Sequence, residues 1–294
     1  MIFVARARRR SAWSLPALAL LGGCIAKLDG PAPFPPHARY VAMGSSFAAG
    51  PGITAPAEMP ATRCGRSADN YAHQLARRRN LTLVDVSCGG ATTANLLSPW
   101  AELPPQVDAL TADTRLVTVT IGGNDVNYIA GLMIASCPDD PEARRPCRPF
   151  PQADEATWVG LQTRLEAFAR EVRLRAPDAR LIFVNYLTLL PPHGTCAATP
   201  LTDADADKAR ALAARLAVLT ATVAARNGAG LVDAAALSYG HDACSARPWS
   251  NGSPRPLRGI VPYHPVLAGM TALAEALDRE LRKNPPKTGN RRPL

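Results

Sequence analysis

The stretch Tyr40-Val41-Ala42-Met43-Gly44-Ser45-Ser46-Phe47-Ala48-Ala49-Gly50 decides how the rest of the chain is read. Its first half is a short apolar run and its second half a turn of small residues, the order in which a buried strand gives way to a helix. Gly44-Ser45-Ser46 would present a hydroxyl at the end of that strand. Taken alone, such a turn is ordinary.

The pattern recurs along the chain. Short apolar runs at Arg39 to Met43, Thr82 to Val86, Leu116 to Ile121, Leu181 to Asn185 and Gly230 to Val232 read as strands. Between and after them lie helical patterns at 68–79, 154–175, 202–226 and 265–283. The clearest helix has Thr202 as its cap, with Asp203, Asp205 and Asp207 at the positive end of the helix dipole. Leu212, Leu216, Leu219 and Val223 follow at helical spacing, and Asn227-Gly228 stops it. Alternation of this kind predicts an α/β fold, a parallel sheet of about five strands covered by helices.

All strand-to-helix turns of such a sheet lie at one edge, so polar residues after strands 1, 2 and 3 should converge. After strand 2 comes Val86-Ser87-Cys88-Gly89-Gly90-Ala91-Thr92-Thr93, whose glycines leave backbone N–H groups unobstructed. After strand 3 comes Ile121-Gly122-Gly123-Asn124-Asp125, where Asn124 can aim an amide at the same place or simply cap a turn. Far downstream, Tyr263-His264-Pro265 opens the last helix, with Pro265 suited to its first position. Of the five histidines, His264 alone sits at a strand-to-helix type of boundary. His37 precedes the domain, His73 lies within a helix, and His193 and His241 fall in cysteine-bounded loops.

A chain of 294 residues with 47% hydrophobic content suits one large domain, expected over residues 39–284. The net charge of +9 points to nucleic acid until its positions are read. Arg6, Arg8, Arg9 and Arg10 lie in the leader, while Arg282, Lys283, Lys287, Arg291 and Arg292 lie in the last helical turn and a basic tail over 285–294, expected to be disordered. The body is close to neutral, so no nucleic-acid partner is expected.

Residues 1–23 have a basic start, an apolar run from Ala12 to Leu21 too short to span a bilayer, and then small residues, the layout of a secretory signal peptide. Leu21-Gly22-Gly23-Cys24 resembles a bacterial lipobox, which would make Cys24 a lipidated first residue of an envelope lipoprotein, periplasmic or at the cell surface. Residues 24–38 are Pro-rich and read as a stiff tether. Six further cysteines allow fifteen pairings. Chain neighbours close the smallest loops, predicting Cys64 with Cys88, Cys137 with Cys147, and Cys196 with Cys244. No C-x-x-C pair occurs, and no metal is expected.

In this order, the turn after strand 1, the glycine loop after strand 2, Gly-Gly-Asn-Asp after strand 3 and His-Pro near the end resemble the SGNH hydrolases, also called the GDSL-like esterase/lipase family. The resemblance covers 39 to about 280. It implies a three-layer α/β/α sandwich, flavodoxin-like, acting on ester bonds without cofactor or metal. It makes Ser46 the nucleophile, His264 the general base, and the N–H groups of Ser46 and Gly90 with the Asn124 amide an oxyanion hole. The cysteine layout is similar to that of the secreted branch with three sequential disulfides.

Two departures stand out. Ser45 occupies the place of the family's usual Asp, which leaves two adjacent serines; alignment of Phe47 and the small residues after it favours Ser46 as the one that attacks. Val261 stands three residues before the histidine, where many relatives carry the triad Asp, and the nearest upstream acid is Asp242. The expectation is a Ser–His dyad in which a backbone carbonyl, that of Val261, orients the imidazole. The substrate is then an ester of an acyl lipid or small acyl group, met by a monomer that touches membrane only through its anchor. The competing readings are a carbohydrate O-deacetylase and a non-catalytic lipoprotein that binds acyl or glycan ligands.

Overall fold

The computed structural model describes residues 34–136, 148–253 and 260–283, together with Ile2. Ile2 is exposed and belongs to a separate unit, Met1–Gly30; everything else described lies in the unit Pro31–Leu294. The elements run β1 (Arg39–Gly44), α1 (Ser46–Ala49), α2 (Tyr71–Arg79), β2 (Thr82–Asp85), α3 (Thr93–Leu97), a 3-10 turn (Gln106–Ala109), β3 (Thr114–Thr120), α4 (Tyr128–Ala135), α5 (Glu155–Arg175), β4 (Arg180–Val184), α6 (Asp203–Arg226), β5 (Gly230–Val232), α7 (Ala234–Leu237) and α8 (Leu267–Lys283).

The five strands form one parallel sheet in the order β2-β1-β3-β4-β5. β1 and β3 are buried almost throughout, as strands covered on both faces must be. Side chains alternate across the sheet and so feed two cores. Val41, Met43, Val117, Val119 and Phe183 pack on one face with Leu161, Leu165 and Phe168 of α5 and Leu212 and Leu216 of α6. Tyr40, Ala42, Leu116, Ile182 and Val184 pack on the other with Leu75 of α2 and Met270, Leu273 and Leu277 of α8. The result is the expected three-layer α/β/α sandwich.

Helix ends follow local chemistry. Thr202 Oγ1 accepts the Asp205 N–H at 3.1 Å, Asp154 accepts the Thr157 N–H at 2.8 Å, and Asn70 accepts the His73 N–H at 3.0 Å. Packing starts ahead of the expected Arg39, because Phe34 and Ala38 are buried in the second core. Among the described residues no helix is long and apolar enough to cross a membrane.

After β1 the chain places β2 on one side and β3 on the other, so the order of strands reverses at β1. The carboxyl end of β1 therefore opens at the topological switch point, where sheets of this kind hold their ligands.

Candidate active site

The turn after β1 is clamped by its neighbours. Gly44 has φ of +128°, and a Cβ there would lie 2.2 Å from the Thr120 carbonyl oxygen, so backbone touches backbone only because the residue is glycine. Its N–H donates to Gln106 Oε1 at 2.7 Å, and its carbonyl accepts from Gln106 Nε2 at 3.0 Å and from the Cys88 N–H at 3.0 Å. The Ser45 N–H donates to the Thr120 carbonyl at 2.9 Å. Held this way, the two serines part. Ser45 turns inward, with Oγ 3.3 Å from the Tyr186 hydroxyl and 3.4 Å from Thr120 O. Burial pushes the Tyr186 hydroxyl up to about 12, which keeps it protonated, and it accepts the Gly123 N–H at 2.8 Å.

Ser46 faces the other way, and its Oγ lies 2.8 Å from His264 Nε2. His264 Nδ1 lies 2.8 Å from the Pro262 carbonyl oxygen. A carbonyl can only accept, so Nδ1 carries the proton and the Nε2 lone pair receives the Ser46 hydroxyl. Burial lowers the His264 pKa, opposed by the bond to Pro262, and the ring is therefore neutral at neutral pH.

The orienting carbonyl is not that of Val261, which instead faces Asn251 Nδ2 at 3.5 Å. Tyr263, between the carbonyl and the ring, has the left-handed φ of +56° and folds the chain so that Pro262 O meets the imidazole two residues on. Asp242 does not serve His264 either, since its carboxylate accepts the Cys244 N–H at 2.9 Å.

The loop that carries His264 is pinned from outside the sheet. Residues 249–252 pair with 263–266 through Tyr263 N–H to Gly252 O at 3.1 Å, Asn251 N–H to His264 O at 2.8 Å and Val266 N–H to Trp249 O at 2.9 Å. Ser253 N–H reaches the Ala198 carbonyl at 2.6 Å, two residues from the Cys196–Cys244 disulfide. The buried Tyr263 hydroxyl sits 2.6 Å from Ser136 Oγ, and the Phe47 ring lies 5.4 Å from the imidazole.

Gly90 follows β2 with φ of +85°. The N–H groups on either side of it are used, Gly89 on the Cys64 carbonyl at 2.9 Å and Ala91 on that of Cys88 at 3.1 Å, whereas among the described residues neither Gly90 nor Ser46 gives its N–H to a protein acceptor. Asn124 spends one amide hydrogen on the Ala91 carbonyl at 2.8 Å, which leaves its second hydrogen and ties the loop after β3 to the loop after β2. Cys64–Cys88 forms as expected and braces the Gly90 loop from behind. The expected pair Cys137–Cys147, like Cys24 and the tail over 285–294, lies outside the described residues.

Several supporting residues escaped the sequence. Gln106 grips a backbone 62 residues away and belongs to no local pattern. Tyr186, just beyond β4, follows the same edge rule that picked out the other turns. Asp125 sits inside a motif already singled out, and its carboxylate accepts the Thr93 N–H at 3.0 Å. Among the described residues no three His, Cys, Asp or Glu side chains group as metal ligands. Two surface clefts, of about 540 and 330 Å³, flank β2, and neither has Ser46 or His264 in its walls.

A buried serine hydroxyl bonded to a neutral imidazole, at the switch point of a parallel α/β/α sheet and beside uncommitted N–H groups, defines a serine hydrolase. The model of the GDSL-like lipase/acylhydrolase family matches residues 42–272. Lipase 2 of Streptomyces coelicolor is 34% identical over 257 residues, covering 83% of this chain and 86% of that protein. A lipase of Streptomyces rimosus is 29% identical over 261 residues, covering 87% and 90%. Among solved structures, phospholipase A1 from Streptomyces albidoflavus superposes with a TM-score of 0.67 at 25% identity, covering 83% of this chain and 99% of that one. The chain belongs to the GDSL-like lipase/acylhydrolase family and is a carboxylic ester hydrolase.

Proposed function

We propose that Ser46 and His264 act as a catalytic dyad that hydrolyses carboxylic esters of acyl lipids or small acyl groups. The observation that carries this is the chain Ser46 Oγ, His264 Nε2 and Nδ1, Pro262 O, with both contacts at 2.8 Å. As Ser46 Oγ attacks the ester carbonyl, Nε2 takes its proton; the same proton then goes to the departing alkoxide, leaving an acyl-serine that water cleaves by the reverse steps. The Ser46 and Gly90 N–H groups and the second Asn124 amide hydrogen receive the oxyanion, each donor contributing roughly 3 to 4 kcal/mol. Pro262 O fixes the tautomer as a carboxylate would, yet being neutral it stabilises the imidazolium less.

Two further features belong to this reading. Disulfides Cys64–Cys88 and Cys196–Cys244 fit an oxidising compartment, and with the leader pattern over 1–23 they support export, with Cys24 as the lipid anchor of an envelope monomer. Relatives named as lipases and a phospholipase A1 favour acyl lipids over acetylated glycans.

The test is hydrolysis of acetyl, butyryl and octanoyl p-nitrophenyl esters by the purified protein, with Ser46→Ala as control. Rates that rise with chain length and vanish in the variant are expected. A sharp preference for acetyl would turn the assignment to deacetylation, and equal rates in wild type and variant would leave a binding protein.

A further inference from the structure

Two of the three oxyanion donors assigned above, the Gly90 N–H and the Asn124 amide, come from the loops after β2 and β3, and something must hold those two loops at a fixed spacing. Asp125, next to Asn124, has its side chain 2% exposed. A carboxylate so buried has to be met by donors, and these come from two elements. Thr93, three residues beyond Gly90, gives both its N–H, at 3.0 Å, and its hydroxyl. Arg164, at the middle of α5, gives Nη2 to Asp125 at 3.1 Å and Nε to Thr93 Oγ1 at 2.7 Å. The direction of each bond is fixed. The guanidinium can only donate and the carboxylate can only accept, so the Thr93 hydroxyl receives from Arg164 and passes its own hydrogen to Asp125.

Arg164 thus spans the two loops in one planar fork, at the residue after Asn124 on one side and at the start of α3 on the other. The bond from Asn124 Nδ2 to the Ala91 carbonyl closes the ring on the side of the reacting atoms. Arg164 keeps 37% of its side chain exposed, yet it gives Nη2 to a buried acid and Nε to the hydroxyl that bonds the same acid.

We propose that Arg164, through Asp125 and Thr93, is a positioning residue that sets the distance between the Gly90 N–H and the Asn124 amide, and so the strength of the oxyanion hole. The proposal rests on the assignment of Ser46, Gly90 and Asn124 made above. An oxyanion site gains its effect from donors fixed before the charge develops, so loosening the spacing acts on the transition state more than on the bound ester.

The experiment is a double-mutant cycle of Arg164→Met and Asn124→Ala in the purified protein, read on p-nitrophenyl butyrate. Arg164→Met is expected to lower kcat about tenfold with KM within twofold of wild type. In the Asn124→Ala background the same change should cost less than about twofold, because the donor it positions is already gone. Arg164→Lys, which keeps the charge but not the fork, should fall between wild type and Arg164→Met. Thr93→Val, which keeps the N–H bond to Asp125, supplies a milder cut in the same ring if Arg164→Met fails to fold, and should show the same loss of its effect in the Asn124→Ala background. Wild-type kcat in Arg164→Met, or a penalty of the same size with and without Asn124, overturns the proposal. Ser46→Ala separates the two levels: full activity in that variant sinks the site assignment, whereas an inactive Ser46→Ala beside a fully active Arg164→Met sinks the positioning role alone.

Discussion

The two halves of the site are built on different principles. Ser46, Gly90 and Asn124 hang from the ends of adjacent strands β1, β2 and β3, and their places follow from the pairing of the sheet and from backbone bonds between the turns. His264 comes from no strand. It is carried by an irregular loop held by short antiparallel contacts, the Cys196–Cys244 disulfide and the seat of Tyr263. The sheet half resists local change because each of its turns is gripped by a neighbour, Gly44 by Gln106 and Thr93 by Asp125. The loop half depends on a few links, so the imidazole is the side of the proposed dyad that perturbation should dislodge first.

The largest effect expected is from His264→Ala, a loss of roughly 10⁴-fold or more in kcat, since among the described residues no other base is placed to take the Ser46 proton. Next comes Asn124→Ala on the sheet half, at roughly 10²- to 10³-fold in kcat with little change in KM, because it removes one of the proposed oxyanion donors and leaves its neighbours. Replacing both Cys196 and Cys244 by Ser should cost about 2 to 5 kcal/mol of stability by denaturant unfolding. It should also lower kcat under conditions where the protein is still folded, whereas the same change at Cys64 and Cys88 should weaken oxyanion binding and leave the acidic limb of the pH profile in place. A like response from both pairs would erase the distinction drawn between the halves.

The smallest effect concerns pH. The proposed mechanism needs His264 neutral, and burial lowers its pKa, so kcat/KM should rise with pH through a midpoint below the ordinary 6.5 of histidine and then stay level. Asp242→Asn should leave both that midpoint and kcat unchanged within twofold, because the Asp242 carboxylate serves the Cys244 N–H. A midpoint above 7, or one that moves in Asp242→Asn, would reinstate a carboxylate partner for the imidazole.

The same division explains what could be read in the sequence. All five strands fall within one or two residues of where apolar runs place them, and Thr202 caps α6 as its chemistry dictates. The sequence proposed Ser46, Gly90, Asn124 and His264 from motif order and the edge rule of parallel sheets, which need no knowledge of loop shape, and the fold places Ser46 Oγ 2.8 Å from His264 Nε2. The helices α3, α4 and α7 were not legible, since about two turns or fewer give little periodicity to read. Nor was the carbonyl behind His264. Choosing Pro262 over Val261 depends on one left-handed residue, Tyr263, and a tyrosine gives no sign of that conformation. Gln106 and Arg164 were hidden for another reason, as their partners lie far along the chain and only the packing of elements brings them in reach.

The account turns on which hydroxyl attacks, and adjacent serines make that a question with a direct answer. Labelling the purified protein with a fluorophosphonate, followed by peptide mass spectrometry, should place a single adduct on Ser46 and none in His264→Ala. An adduct on the inward-facing Ser45, or labelling that survives unchanged without His264, would contradict the dyad.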